Sequence, residues 1–158
     1  MEKVLEAKRK IAEVRESHLK DTRTMDLNRI TRFFNENVRQ HARPAECSAF
    51  DALITTAERA IQDGDNKFED ILDEMRAKNF DVLWRQDWFV VEKFKSMAQF
   101  PQQFSDQTLA SQQIEKGVAA MQSDNIDALR DVIYELSQIQ SNNSPDDELF
   151  DAANIVMG

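Results

Sequence analysis

Residues 121–136 read Met121-Gln-Ser-Asp-Asn-Ile-Asp-Ala-Leu-Arg-Asp-Val-Ile-Tyr-Glu-Leu136. Ile126, Leu129, Ile133 and Leu136 follow one another at spacings of three and four, with charged residues on the opposite side, which is the pattern of an amphipathic helix. Asp124 followed by Asp127 resembles a capping box at the start of this helix. The stretch Ser141-Asn-Asn-Ser-Pro145 is expected to end it.

The whole chain has the composition of an all-α protein. It contains only three glycines and three prolines in 158 residues, and no sustained alternation of apolar and polar residues that would indicate strands. Its length suits one core of ordinary size or two small helical units. We therefore predict an all-α helical bundle.

Further helices are predicted upstream from the same periodicity. Val4, Ala7, Ile11, Val14 and His18 predict a helix over residues 2–20, and Asp26 is expected to cap a second helix that ends at Pro44. These two would form an N-terminal helical hairpin. A third helix should end at a turn around Gly64, and a fourth should run to Pro101 with a kink or short break near Asn79. Ser105-Asp106 should cap a fifth that presents Leu109, Ile114, Val118 and Met121.

The charge distribution separates the N-terminal part from the remainder. Residues 1–44 carry 11 Lys and Arg against seven Asp and Glu, whereas the remainder carries nine against 22. We therefore predict three parts: a basic hairpin at 1–44, a helical bundle at 45–143, and a short helix or disordered tail at 144–158. The acidic remainder makes nucleic acid a poor partner, although a nucleic-acid or anionic-surface binder acting through the first helices stays open.

No constellation for covalent chemistry is visible, so an enzyme is not expected. The glycines lie far apart and cannot form a phosphate-binding loop, Cys47 has no second thiol, and neither His18 nor His41 has a helical neighbour that would complete a metal site. The longest apolar run is too short for a membrane span, and the charged N-terminus lacks the apolar core of a signal peptide. We predict no cofactor, no membrane partner and a cytoplasmic location, and leave oligomerisation open.

Aromatic residues are concentrated in one part of the chain, between Phe80 and Phe104. Their helical spacing favours the core of a bundle over a ligand groove. Trp84, Trp88 and Phe89 are nevertheless the candidate partner contact, because Trp88 and Phe89 lie off the stripe that holds Trp84 and a surplus exposed aromatic residue could bind a partner.

Residues 63–141 also resemble a known family. Three segments carry the likeness: Asp65-Asn-Lys-Phe-Glu-Asp-Ile-Leu-Asp-Glu-Met, Trp88-Phe-Val-Val-Glu-Lys-Phe-Lys-Ser-Met, and Ala119-Ala-Met-Gln-Ser-Asp-Asn-Ile-Asp-Ala-Leu-Arg. Together with Phe104-Ser-Asp-Gln-Thr and Glu135-Leu136, their order over residues 63–141 is similar to the C-terminal helical lid of DnaK-type chaperones, the seventy-kilodalton heat-shock family. Residues 1–44 match no part of that family.

The resemblance implies a non-catalytic lid that covers a client-peptide site and assists protein folding. Unfolded client polypeptides and co-chaperones would be partners of the parent protein, and ATP would bind only in a nucleotide-binding domain outside this chain. The alternative is a free-standing helical adaptor that binds a partner protein through the aromatic surface of Trp84, Trp88 and Phe89.

Overall fold

The computed structural model describes residues 1–141, and all of its regular elements are helices. α1 spans Glu2–Phe33 and continues as a π-helix, Phe34–Val38, and a 3-10 turn, Arg39–His41. α2 is Pro44–Asp63, α3 is Phe68–Trp84, α4 is Asp87–Gln99, α5 is Gln107–Gln122 and α6 is Ile126–Gln138. The contacts divide the chain into two units, with Met1–Lys78 as the first unit and the second beginning at Asn79. The predicted tail at 144–158 lies outside the described residues.

The first unit differs from the predicted hairpin, because α1 runs through Asp26 without a turn. Lys20 to Asp26 include neither glycine nor proline, so nothing in this segment forces the chain to leave the helix. Leu27, Ile30, Phe34 and Val38, which recur at the helical spacings of three and four, are all buried. The N-terminal part is therefore one long helix, and the contacts divide the chain after Lys78 instead of after residue 44.

The core of the first unit is built around two stacked rings. Phe34 and Phe50 lie with their centroids 3.9 Å apart and their planes 9° from parallel. Arg39 covers the Phe34 ring at 4.8 Å and binds Asp51 at 2.7 Å. The hydrogen bond from Arg39 to Asp51 raises the pKa of the guanidinium above its usual value. Phe34 of the π-helix and Arg39 of the 3-10 turn thus join this end of α1 to α2.

The turn after α2 is the one that the sequence predicts. Gly64 has a φ of +62°, the left-handed conformation that ends many helices and that glycine adopts without strain. Its N–H donates to the carbonyl of Ile61, and the N–H of Asp65 donates to that of Ala60. Arg23 of α1 then donates to the Asp65 carbonyl at 3.1 Å and lies over the Phe68 ring. This fixes the start of α3 against α1 within the first unit.

α3 does not end near Asn79, where the hydrophobic pattern changes phase. Phe68, Leu72 and Met75 are buried before this point, and Val82 and Leu83 are buried after it. The change of phase coincides with the boundary between the two units. The helix ends only at Trp84 and the next begins at Asp87, so the break falls at residues 85–86 instead of near Asn79.

The second unit packs α4, α5 and α6 around one core, which includes Val90, Phe94, Leu129 and Leu136. On α5, Ile114 and Met121 are half-buried against this core as predicted, but the fully buried positions are Ala110, Gln113, Gly117 and Ala120, and Val118 is 43% exposed. The small side chains of Ala110 and Ala120 and the absence of one at Gly117 let neighbouring helices approach closely. The segment that connects α4 to α5 pairs with the residues after α6 through an isolated antiparallel β-bridge between Phe104 and Gln140.

The caps of the last two helices agree only in part with the sequence prediction. Asp106 caps α5 as expected, accepting a hydrogen bond from the Leu109 N–H at 3.0 Å. The cap of α6 is Asn125, whose Oδ1 accepts from the Ala128 N–H at 3.1 Å, and not Asp124. Asp124 instead has a φ of +55°. The predicted capping box is therefore wrong by one residue.

Replacing Asn125 with alanine is expected to lower the free energy of unfolding of the second unit by about 1 kcal/mol, because the Ala128 N–H loses its acceptor. Thermal unfolding followed by circular dichroism would measure the loss. Asn125→Asp is the matched control and should keep most of the stability, since its carboxylate can accept the same bond. Equal losses in both variants would contradict a capping role.

Candidate functional site

The longest exposed apolar surface lies on the N-terminal part of α1. Every residue from Met1 to Leu19 is exposed, whereas the C-terminal part of the same helix is buried at Leu27, Ile30 and Phe33. At a rise of about 1.5 Å per residue, the exposed part is about 28 Å long. α1 is therefore held by one end, and its other end has no covering side chains among the residues that the structure describes.

Four of the apolar residues on this exposed part form a narrow line, which we call the α1 stripe: Val4, Ala7, Ile11 and Val14. In a heptad written from a to g, they occupy positions a, d, a and d. Val4, Ile11 and Val14 are 59%, 53% and 68% exposed, which is unusual for β-branched apolar residues on an ordered helix. The line ends in polar residues, because His18 takes the next a position and Asp21 the next d position.

Basic residues border the α1 stripe on both sides. Lys3 and Lys10 hold the two g positions, and Lys8 and Arg15 hold the two e positions. The acidic residues of this part all lie at the outer positions c and f, as Glu2, Glu6, Glu13 and Glu16. Lys10 reaches Glu6 at 3.4 Å, but Lys3, Lys8 and Arg15 form no ion pair within residues 1–141. The stripe is thus an apolar line between two rows of cations.

The predicted aromatic contact is mostly part of a core. Phe89 is 1% exposed, so the expectation that it contributes to a surface is wrong. Trp84 is half-buried and stacks on Phe80 at 5.4 Å, while Phe80 also meets the edge of Phe89 at 6.1 Å. Trp84 also packs against the core of the second unit.

Trp88 is the one member of the three that is exposed to solvent, at 40%. Its ring contacts the Phe89 ring edge to face, with the two ring centroids 5.9 Å apart, and this contact fixes its position. Trp88 therefore remains a candidate contact, although a single aromatic residue is a much smaller surface than the α1 stripe.

The acidic residues near the start of α6 are neutralised by one arginine. Arg130 contacts Asp127 at 2.9 Å and Asp87 at 3.6 Å, donates to the Trp84 carbonyl at 3.3 Å, and lies 6.0 Å from the Trp84 ring. Within the described part of the chain, no three His, Cys, Asp or Glu side chains are grouped so that they could hold a metal ion. This cluster ties α3, α4 and α6 together.

Two further observations bear on partners. None of the helices in residues 1–141 is both long and apolar enough to cross a lipid bilayer. Comparison with protein-family models, with curated proteins and with solved structures finds no match to this chain. The function must therefore be argued from the surface itself.

The sequence predicts that the residues of the α1 stripe lie on one face of an amphipathic helix, but it does not indicate that this face is exposed. Periodicity predicts which residues share a face and cannot tell whether another element covers that face. The signal that could have identified it is the run of cations at both e and g positions. A helix that packs in its own core rarely places four cations, here Lys3, Lys8, Lys10 and Arg15, beside the buried line.

Proposed function

We propose that this chain is a non-catalytic helical module that binds another protein, and that the α1 stripe is its contact surface. The observation that carries the proposal is the exposure of Val4, Ile11 and Val14 on a helix whose other end is fixed in a core. Exposed apolar residues scattered singly need no explanation, whereas a continuous line of them with polar borders is typical of an interaction site.

Burial of the stripe would supply the affinity. Covering a Val or Ile side chain contributes roughly 1.5–3 kcal/mol, so Val4, Ile11 and Val14 together could support a specific contact. The helix that presents them is anchored through Leu27, Ile30 and Phe33, which reduces the ordering cost of binding. The surface thus has both an apolar line and a fixed support.

A photo-crosslinking residue placed at Ile11 is expected to form adducts with a partner in the source cells, and the same residue at Glu13 is expected to form few. The two positions lie on different faces of α1 and are both exposed. Adding Val14→Asp to the Ile11 probe should remove the adducts, because a carboxylate would then lie in the apolar line. Mass spectrometry of the adducts would identify the partner.

The proposal would be abandoned if both positions gave the same adducts, or if Val14→Asp had no effect. Loss of the helix would be a trivial cause of a negative result, so far-UV circular dichroism of each variant is needed. Val14 is 68% exposed, and the fold should therefore tolerate the change.

A second candidate is the helical lid of a DnaK-type chaperone, in which the chain would cover a client-peptide site. It is supported by the sequence resemblance over residues 63–141 and by the core that α4, α5 and α6 form in that region. In that case unfolded polypeptides and co-chaperones would be partners of the parent protein, with ATP bound in another of its domains. An immunoblot of source cells would show a band several times larger than 18.3 kDa if this is correct, and a band of 18.3 kDa would exclude it.

A further inference from the structure

We propose that the partner of the α1 stripe is an acidic amphipathic helix of another polypeptide, and that the two pair as a short coiled coil over residues 3–18. The inference rests on the proposed function and adds the chemistry of the partner. It depends on three features of α1: the width of its apolar line, the sign of the charges at its borders, and the place of its acidic residues.

The width of the apolar line matches the seam of a two-stranded coiled coil. Such a seam uses only positions a and d, whereas a helix packed in a globular core also has apolar residues at e or g. Here Lys8 and Arg15 fill the e positions and Lys3 and Lys10 fill the g positions. The α1 stripe can therefore contact one helix along its length but could not be covered by a broad apolar surface without burying these cations.

The charges at the borders exclude a second copy of this chain. In a parallel pair, g residues face e residues of the partner, so Lys3 would face Lys8 and Lys10 would face Arg15. In an antiparallel pair, g faces g and e faces e, so Lys10 would face Lys10 and Lys8 would face Lys8 of the other copy. Like charges at these positions are destabilising, and they set partner choice. A helix with glutamate or aspartate at e and g would instead meet all four cations with opposite charge.

The composition of the stripe argues against a lipid surface. Helices that lie in a membrane interface present large apolar residues such as Trp, Phe and Leu on a wide face. The α1 stripe contains two valines, one isoleucine and one alanine, and Leu5 and Leu19 are separated from it by the cations at e positions. The line is too narrow and its side chains too small for that role.

The outer face of α1 argues against nucleic acid. Glu2, Glu6, Glu13 and Glu16 occupy the outer positions, and Glu6, Glu13 and Glu16 each lie within 4 Å of a basic side chain. A phosphate backbone would meet these carboxylates as well as the cations, which weakens the electrostatic attraction that such binding requires. An acidic helix that lies along the stripe contacts the cations and leaves the outer carboxylates in solvent.

The experiment titrates the full chain with each of two synthetic three-heptad peptides and measures binding by isothermal titration calorimetry. Both peptides carry Ile at a and Leu at d, but one has Glu at every e and g position and the other has Lys. We expect the Glu peptide to bind at least about tenfold more tightly than the Lys peptide, since four charge pairs change sign between them. Added salt should reduce this difference.

Charge reversal on the chain provides the matched test. Lys8→Glu combined with Arg15→Glu should abolish the preference, because each peptide would then form two favourable and two unfavourable charge pairs with the chain. Arg9→Glu combined with Lys20→Glu changes the net charge by the same amount at outer positions and should leave the preference for the Glu peptide unchanged. Equal effects of the two double variants would overturn the inference, because they would show that only net charge matters.

The remaining outcomes separate the inference from the proposed function. The inference would be overturned if both peptides bound equally or if the Glu peptide did not bind. It would also be overturned if the chain bound phosphatidylcholine–phosphatidylserine vesicles or duplex DNA more tightly than the Glu peptide. Self-association that Ile11→Asp abolishes would overturn it as well. If any of these results accompanied partner adducts from Ile11, the proposed function would stand without the acidic helix. If Ile11 gave no adducts in cells, the proposed function itself would fail.

Discussion

Replacing Phe50 with alanine is expected to lower the free energy of unfolding of the first unit by about 3–5 kcal/mol. Phe50 is fully buried on α2 and stacks on Phe34, itself only 1% exposed. Truncation removes the transfer free energy of the ring and leaves a cavity that Phe34 alone cannot fill. At about 0.05–0.15 kcal/mol per residue, the loss is a large share of the stability expected for a unit of this size. The variant should therefore unfold at a markedly lower temperature and denaturant concentration.

The loss can be measured by hydrogen exchange of the α2 amides and by chemical denaturation. Met25→Ala is the matched control, since Met25 is another large apolar residue of the first unit but is 63% exposed. It should change stability by less than about 0.5 kcal/mol. Similar losses in the two variants would mean that the Phe34–Phe50 pair is not the centre of this core.

The sequence predicted the local elements best where a single residue determines the backbone. Gly64 is the clearest case, because glycine adopts the left-handed conformation without strain and few other residues do. The periodic run from Ile126 to Leu136 likewise predicted α6 and its buried face. Both signals are local, and neither depends on what lies across the core.

The predictions that failed depended on information outside the local segment. Asp26 could cap a helix, but a capping residue begins a helix only where the preceding residues leave it, and Lys20 to Asp26 have no reason to do so. On α5 the larger side chains Leu109 and Val118 were expected inside, but close packing selected smaller residues one position away. Size complementarity between helices cannot be read from one helix alone.

The candidate site could likewise be predicted only in part from local sequence. The sequence showed the apolar periodicity of Val4, Ile11 and Val14 but not that the stripe is exposed, because exposure depends on where every other element lies. It also suggested Trp84, Trp88 and Phe89, because the last two lie off the apolar stripe of Trp84, and the structure buries Phe89. Aromatic residues stabilise cores and interfaces by the same burial of apolar area, so their presence alone does not distinguish the two.

The close packing of α5 also leads to a strong expectation for Gly117. A Cβ atom at this position would lie 2.2 Å from Cε2 and 2.3 Å from Cζ of Phe94, a ring that is itself 2% exposed. Gly117→Ala is therefore expected to lower the free energy of unfolding of the second unit by about 1–3 kcal/mol. This loss should appear even though alanine favours a helix interior by about 1 kcal/mol over glycine.

A double-mutant cycle would show whether the Phe94 ring causes the loss. Phe94→Leu removes Cε2 and Cζ, so Gly117→Ala should cost much less in that background, or become stabilising through its helix propensity. Gly64→Ala is the matched control, because no atom lies within 4 Å of its added Cβ and its cost comes from the backbone conformation alone. That cost should be the same with and without Phe94→Leu. If Gly117→Ala were equally harmful in both backgrounds, the close approach of α5 to Phe94 would not be its cause.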